Sequence, residues 1–76
     1  MKNLYEKLKE LESIIDFDDF FSIELSNIWG GRVNFIGKYT PEKYEKYSNI
    51  EGCKISEENN WVDIKFDNVR ISLKKD

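Results

Sequence analysis

The sequence contains no histidine and no alanine, and it has only one cysteine, Cys53, and one proline, Pro41. Without histidine the chain lacks the commonest general acid or base and the commonest metal ligand. A single cysteine cannot form an intramolecular disulfide. With no histidine to activate it, Cys53 is expected to be a small apolar core residue rather than a nucleophile. These absences predict a protein that is not an enzyme and that uses no metal or cofactor.

Long apolar runs and an excess of basic charge are also missing. No stretch reaches the roughly 18 consecutive apolar residues of a membrane span, and the N-terminal run MKNLYEKLKELE is charged and periodic, unlike a secretory signal. Fifteen acidic and twelve basic residues give a net charge of −3. This balance disfavours direct binding of nucleic acid and is compatible with a partner that has a basic surface. A cytoplasmic location is therefore expected.

Hydrophobic periodicity predicts one α+β domain over residues 1–76, with the order helix, strand, strand, helix, strand, strand, strand. A first helix is expected over residues 4–15, because Leu8, Leu11 and Ile15 continue one apolar stripe that Ile14 widens. Thr40 and Pro41 suit the cap and first turn of a second helix that ends near Ser48.

The first two strands are predicted to form a hairpin. Pairing Ile23 with Phe35 places every apolar residue on one face and sets Phe21 over Gly37. The loop is then Ile28 to Gly30, which matches a three-residue turn closed by a glycine in the left-handed region. Its double glycine lacks the residues of a phosphate-binding loop.

The last three strands alternate in the same way. A polar turn in the run EENN is predicted to place Ile55 opposite Val62, and a turn at Asp67-Asn68 to place Phe66 opposite Val69. Since every strand has one apolar face, the pattern predicts a mainly antiparallel sheet with both helices on one face, in two layers. The order of the strands in space does not follow from the sequence.

The opposite face of the sheet should be polar apart from Ile36 and Trp61. Tryptophan is enriched at binding hot spots, and Trp29 is expected to be exposed at the tip of the first hairpin. Acidic turn residues, which lack the spacing of a calcium loop, are either solvated or contacts to a basic partner. The predicted contact residues are therefore Trp29, Ile36 and Trp61 as apolar anchors, with Asp16, Asp18, Asp19, Glu57 and Glu58 as acidic contacts.

The chain resembles small accessory proteins that phages and mobile elements of low-GC bacteria encode. The shared features are short length, acidic balance, AT-rich residue usage, and the run GGRVNFIGKYTPEKYEKY, which sets a strand directly before a capped helix. This class includes anti-CRISPR and other anti-defence inhibitors. The resemblance implies an inhibitor without chemistry of its own, which occupies a surface of a host protein in the bacterial cytoplasm, and it assigns no functional residues.

Three alternatives stay open from the residues alone. A small sheet with unprotected edge strands can form a homodimer or a larger homo-oligomer. An exposed tryptophan among basic residues is shared with RNA-binding sheets, although those carry paired aromatics and a basic balance. A small enzyme that uses carboxylate, lysine and tyrosine side chains is the third alternative.

Overall fold

Two helices and five strands follow one another in the predicted order. They are seen in a computed structural model that describes residues 4–26 and 31–75. The fold is α+β, and its single five-stranded sheet is mostly antiparallel. The elements are α1 (Leu4–Leu11), a short 3₁₀ helix (Phe17–Asp19), β1 (Ser22–Ser26), β2 (Arg32–Lys38), α2 (Pro41–Ser48), β3 (Lys54–Glu58), β4 (Trp61–Phe66) and β5 (Val69–Lys74).

The sheet is mixed, because one neighbouring pair of strands, β2 and β5, is parallel. The strand order is β1-β2-β5-β4-β3, in which β2 and β5 run in the same direction and every other neighbouring pair is antiparallel. A parallel pair needs a long crossover connection, and the segment from α2 through β4 supplies it. The last strand of the chain therefore lies in the middle of the sheet, beside β2.

The core lies on one face of the three central strands. Phe35 of β2 is paired with Ile71 of β5, which is paired with Ile64 of β4, so that one row of apolar side chains crosses the sheet. Three residues outside the strands, Leu11, Ile15 and Tyr47, belong to the same buried cluster. Its members are Leu11, Ile15, Val33, Phe35, Tyr47, Val62, Ile64, Phe66, Val69, Ile71 and Leu73.

The second helix begins as the sequence predicts. The side chain of Thr40 accepts a hydrogen bond of 3.1 Å from the backbone N–H of Lys43, and Pro41 occupies the first turn. Thr40 thus satisfies one of the N–H groups that the start of a helix leaves unpaired. The turn at Asp67-Asn68 is also confirmed, with Asp67 at a φ of 49°.

The first helix is shorter than predicted. It ends at Leu11 rather than at residue 15, where the bonding changes to the tighter i to i+3 pattern, as in the 3.0 Å bond from Ile14 N–H to the Leu11 carbonyl. The Ser13 hydroxyl competes for the Glu10 carbonyl at 2.8 Å, as serine does near helix ends. Ile15 still reaches the core, but Ile14 turns outward.

The predicted hairpin register of β1 and β2 is confirmed, but the contact of Phe21 with Gly37 is wrong. Both Phe21 and Ser22 stand opposite Ile36, since the N–H of Phe21 donates to the Ile36 carbonyl while Ser22 is the paired residue. One extra residue of this kind is a β-bulge, and it shifts the alternation by one. The ring of Phe20 therefore lies beside Gly37.

The predicted register of β3 and β4 is also wrong, by two residues. Ile55 is paired with Ile64 rather than with Val62, because the turn consists of only Asn59 and Asn60, whose φ angles are 49° and 68°. Asparagine tolerates this left-handed region, and a two-residue turn of this shape matches the twist of the strands. A shift of two residues keeps every side chain on its predicted face.

The edge strands are less covered than their pattern predicts. Ile23 and Leu25 of β1 alternate in phase with the core, yet Leu25 is 48% exposed, and Phe21 just before the strand is 72% exposed. Ile55 of β3, at the opposite edge, is also exposed. Phe21, Ile23 and Leu25 at one edge of the sheet and Ile55 at the other are therefore left in contact with water.

Candidate interaction surface

The strand registers define the face of the sheet that lies opposite the core. Residues that alternate with the buried positions project to that side, and paired residues of neighbouring strands share a face. We call this set the outer face. It consists of Ser22, Glu24, Ser26, Arg32, Asn34, Ile36, Lys38, Lys54, Ser56, Glu58, Trp61, Asp63, Lys65, Arg70, Ser72 and Lys74.

A shallow groove in the outer face brings together three of the predicted contact residues. Ile36, Glu58 and Trp61 line the same cavity of about 340 Å³, although they come from three different strands. Trp61 is half-buried, and the Nζ atom of Lys74 lies 5.9 Å from the centroid of its ring. The groove therefore has apolar walls that rigid strands hold in place.

The floor of the groove is polar. The Nη2 atom of Arg70 donates to Oδ2 of Asp63 at 2.8 Å, while Ser72 is only 6% exposed. Three buried atoms, Oδ1 of Asn34, Oδ1 of Asp63 and Nε of Arg70, have no hydrogen-bond partner among residues 4–26 and 31–75. Buried polar atoms are normally paired, so these side chains have hydrogen-bonding capacity that the described fold does not use.

A second depression of about 510 Å³ adjoins this groove and shares Asn34 and Arg70 with it. Glu24 lies at its β1 side, where Oε1 accepts a long hydrogen bond of 3.4 Å from Nδ2 of Asn34. Arg32 and Lys65 lie on its rim. The two depressions together run across most of the width of the sheet, from β1 to the turn between β3 and β4.

Two of the three acidic residues around the 3₁₀ helix, Asp16 and Asp19, serve the fold. The side chain of Asp16 caps this helix by accepting from the N–H of Asp18 at 3.0 Å. Oδ2 of Asp19 accepts from the hydroxyl of Tyr47 at 2.5 Å and from Nζ of Lys46 at 3.1 Å. Of the three aspartates, only Asp18 has a side chain without a hydrogen-bond partner in the described part of the chain.

These contacts lower the pKa of Asp19 and raise the pKa values of Tyr47 and Lys46. The hydrogen bond from Tyr47 and the nearby Lys46 hold the pKa of Asp19 below its usual value. Burial, together with the bond to the Asp19 carboxylate, raises the pKa of the Tyr47 hydroxyl. Lys46, as the third member, has a raised pKa because of its bond to Asp19. The cluster ties the 3₁₀ helix to α2.

Strand alternation separates Glu57 from Glu58. Glu57 shares the side of the core residue Val62 and binds Nζ of Lys75 at 2.6 Å, a bond that raises the pKa of Lys75. Glu58 is paired with Trp61 on the outer face. Of the five acidic residues proposed as partner contacts, only Glu58 joins Ile36 and Trp61 in the groove.

Trp29 lies outside the described residues, as does the whole loop predicted around it, Ile28 to Gly30. The residues that sequence analysis did not propose as contacts are Asn34, Asp63, Arg70 and Ser72. Alternation already places all four on the polar face, but only the pairing of β2 with β5 brings Asn34 next to Arg70. That pairing joins strands far apart in the chain and has no local sequence signal.

The described residues provide neither a metal-binding cluster of Cys, Asp or Glu side chains nor a membrane-spanning helix. Within it, no group of three or more Cys, Asp or Glu residues is arranged to hold a metal ion. Cys53 is half-buried against the core, with Sγ 3.4 Å from the Ser48 carbonyl. None of the described helices has the length and apolar character to cross a bilayer.

Comparison with known proteins returned no relative: the chain matches no protein-family model, no curated protein and no solved structure.

Proposed function

We propose that this chain is a non-enzymatic protein-binding module that acts by occupying the surface of a partner. The observation that supports the proposal most directly is the groove of the outer face, where Ile36 and Trp61 flank a polar floor with unused hydrogen-bonding atoms. Protein interfaces combine this kind of apolar anchor with polar groups around it.

The position of the groove on the sheet also suits binding. Its side chains come mainly from β2, β5, β4 and β3, which are consecutive hydrogen-bonded neighbours, so a partner would meet a surface that is already ordered. A preordered site loses less conformational entropy on binding than a mobile loop does. We also infer that α1 and α2 form a second layer on the core side, because Leu11, Ile15 and Tyr47 are buried with the core face of the strands.

The resemblance to small phage and mobile-element proteins extends the proposal to the partner. The partner is then a host protein in the bacterial cytoplasm, and the chain is an inhibitor that blocks its surface, as anti-CRISPR and other anti-defence proteins do. The groove residues Ile36, Trp61 and Glu58 are the contacts we assign to the partner. Trp29 and Asp18 remain further candidates.

Removing the two apolar anchors is expected to abolish capture of the partner. We expect Ile36→Ser with Trp61→Ser to raise the Kd for the partner about 30-fold or more, because a hot-spot pair contributes about 2 kcal/mol or more. The measurement is quantitative capture from a lysate of a bacterium that carries the gene, followed by titration with the purified partner. Circular dichroism verifies that the variant is folded.

A matched control is Ile14→Ser with Ile55→Ser, which removes two exposed apolar side chains outside the groove. This variant should retain the partner. If both double variants capture it equally well, the groove is not the binding site. If the unmodified chain captures no protein above background, the proposed function itself is wrong.

A homo-oligomer is a second candidate, which the exposed edge strand β1 favours. Ile23 and Leu25 of this strand are exposed apolar side chains at an edge of the sheet, and such edges pair readily with a second copy. We then expect light scattering to report a dimer mass at high protein concentration, and Leu25→Lys to return it to the monomer mass. A monomer mass for the unmodified chain at all concentrations would contradict this candidate.

A further inference from the structure

The outer face is basic, although the whole chain is acidic. The net charge of the chain is −3, whereas the outer face carries six cations and three anions. The excess of acidic residues therefore lies on the other surfaces. The cations of the outer face are Arg32, Lys38, Lys54, Lys65, Arg70 and Lys74, and its anions are Glu24, Glu58 and Asp63.

Several of these cations stand directly opposite one another on neighbouring strands. Lys65 of β4 is opposite Arg70 on one side and Lys54 on the other, and Lys38 of β2 is opposite Lys74 of β5. Like charges at directly opposite positions destabilise a sheet, and at Arg70 the 2.8 Å ion pair with Asp63 offsets this. An anionic ligand would relieve the remaining repulsion, so binding it would stabilise the fold as well as the complex.

The cations are spaced to match an extended chain. Along β5 the outer face carries Arg70, Ser72 and Lys74, and the parallel neighbour β2 places Asn34, Ile36 and Lys38 beside them. Alternate residues of an extended chain are about 7 Å apart. A peptide lying along these strands would therefore meet a cation, then the apolar groove, then a second cation, at every other residue.

We propose that the outer face binds an extended acidic protein segment in which two acidic residues flank an apolar one, each separated by a single residue. The apolar side chain lies in the groove between Ile36 and Trp61, one carboxylate meets Arg70 and Lys65, and the other meets Lys74 and Lys38. This proposal rests on the proposed function and specifies the chemistry of its partner. It replaces, for this face, the basic partner that net charge favours, because the anions lie mainly on other surfaces.

A protein segment fits this face better than a nucleic acid does. Trp61 is the one aromatic side chain among the outer-face residues, and Lys74 lies over its ring. Proteins that bind single strands stack successive bases on several aromatic rings. Glu24, Glu58 and Asp63 are also distributed over the face, where they would repel a continuous chain of phosphates but tolerate isolated carboxylates.

The test is an NMR titration of the isotope-labelled chain with a synthetic peptide whose core is Glu-Ser-Leu-Ser-Glu. We expect amide shifts confined to β2, β4 and β5, a shift of the Trp61 indole N–H, and weakening at about 0.5 M salt, where charges are screened within a few ångströms. A peptide with lysine in place of both glutamates should cause no shifts. Lys65→Gln with Lys74→Gln should weaken binding about five- to tenfold, as expected for two exposed charge pairs.

The matched control is Lys7→Gln with Lys9→Gln, which changes the net charge equally but lies on α1 rather than on the outer face. This control should bind the acidic peptide as the unmodified chain does. Equal weakening in both variants would overturn the proposal, as would shifts away from the outer face. Tighter binding of a single-stranded oligonucleotide on the same amides would assign the face to nucleic acid and overturn it too. If the peptide does not bind while capture of a partner still depends on Trp61, only the acidic chemistry fails and the proposed function stands.

Discussion

Replacing Gly37 with alanine is expected to lower the free energy of unfolding by about 2–3 kcal/mol, as overpacking of a close contact does. A Cβ atom at this position of β2 would lie 2.9 Å from the Asp19 carbonyl oxygen and 2.9 Å from Cδ1 of Phe20. The first is a backbone atom of the 3₁₀ helix. The second belongs to a ring that packs on Phe35 and Tyr47 with centroids 5.2 and 5.4 Å away. Neither can move without disturbing the core.

A loss of this size is a large part of the stability of a small domain, which is about 5 kcal/mol or more. We expect the Tm to fall by about 10–20 °C, since 1 kcal/mol corresponds to about 4–8 °C in a domain of this length. Gly52→Ala is the comparison, because its Cβ meets nothing within 4 Å and only its φ of 81° causes strain. It should cost about 1 kcal/mol. A Gly37→Ala variant as stable as the unmodified chain would contradict the packing of the 3₁₀ helix against β2.

Removing the hydroxyl of Tyr47 is the second large effect that we expect. Tyr47 is completely buried. Its hydroxyl donates to the Asp19 carboxylate at 2.5 Å and accepts from the Asp16 N–H at 3.2 Å. Tyr47→Phe should lower the free energy of unfolding by about 1–2 kcal/mol, because the Asp19 carboxylate keeps only its bond from Lys46 and the Asp16 N–H loses its bond to the hydroxyl. Urea denaturation at neutral pH measures this loss.

The pH dependence separates the ionic part of this loss from the rest. The pKa of Asp19 is lowered in the folded chain, chiefly by the bond from Tyr47. Its contribution to stability is therefore present above the unfolded pKa of about 3.9 and is lost as the pH falls through the lower, folded value. In Tyr47→Phe the pKa of Asp19 lies closer to its usual value. The stability difference between the two proteins should therefore shrink below about pH 4.

The hydrogen bond between Tyr47 and Asp19 should also make stability depend on pH in the alkaline range. The pKa of Tyr47 is raised by burial and by the Asp19 carboxylate, so its contribution is full below the unfolded pKa of about 10 and is lost as the pH rises through the folded value. The control is Tyr44→Phe, whose ring packs on Tyr39 with centroids 6.0 Å apart but whose hydroxyl has no bond among the described residues. It should change stability little at any pH. If the difference in free energy of unfolding between the unmodified chain and Tyr47→Phe stays constant from acid to alkaline pH, the proposed role of the bond between Tyr47 and Asp19 is refuted.

The groove shows how far sequence analysis reaches toward the candidate site. Alternation alone assigned Ile36 and Trp61 to the polar face, and the strand registers agree with that assignment. Sequence analysis treated Asp19 and Glu57 as partner contacts of the same kind as Glu58. Their partners, Tyr47 and Lys75, are 28 and 18 residues away in the chain, so no local pattern could distinguish them.

The two wrong predictions within the sheet, the register of β3 and the contact of Phe21, also depend on pairing between strands that local patterns do not show. Predicting the turn at Asn59-Asn60 as a longer loop displaced β3 by two residues, because a run of polar residues does not mark where a strand ends. The bulge at Phe21 places Phe20 beside Gly37, where the sequence predicted Phe21. A shift of two residues leaves the alternation of β3 unchanged, whereas the bulge shifts the alternation before β1 by one. In both cases hydrogen bonding to the neighbouring strand decides the register.

The amino-acid sequence by itself determined the type and order of the elements, the face to which most strand residues project, and the cap of α2, because helix and strand periodicity and the preferences of Thr40 and Pro41 act over a few residues. Only the tertiary structure decided that β5 lies in parallel beside β2, which brings Arg70 next to Asn34 and pairs Lys38 with Lys74. It also decided which acidic residues serve the fold and which cations lie opposite one another on the outer face. These outcomes depend on contacts between distant segments, whose selection rests on the packing of the whole core rather than on any local preference.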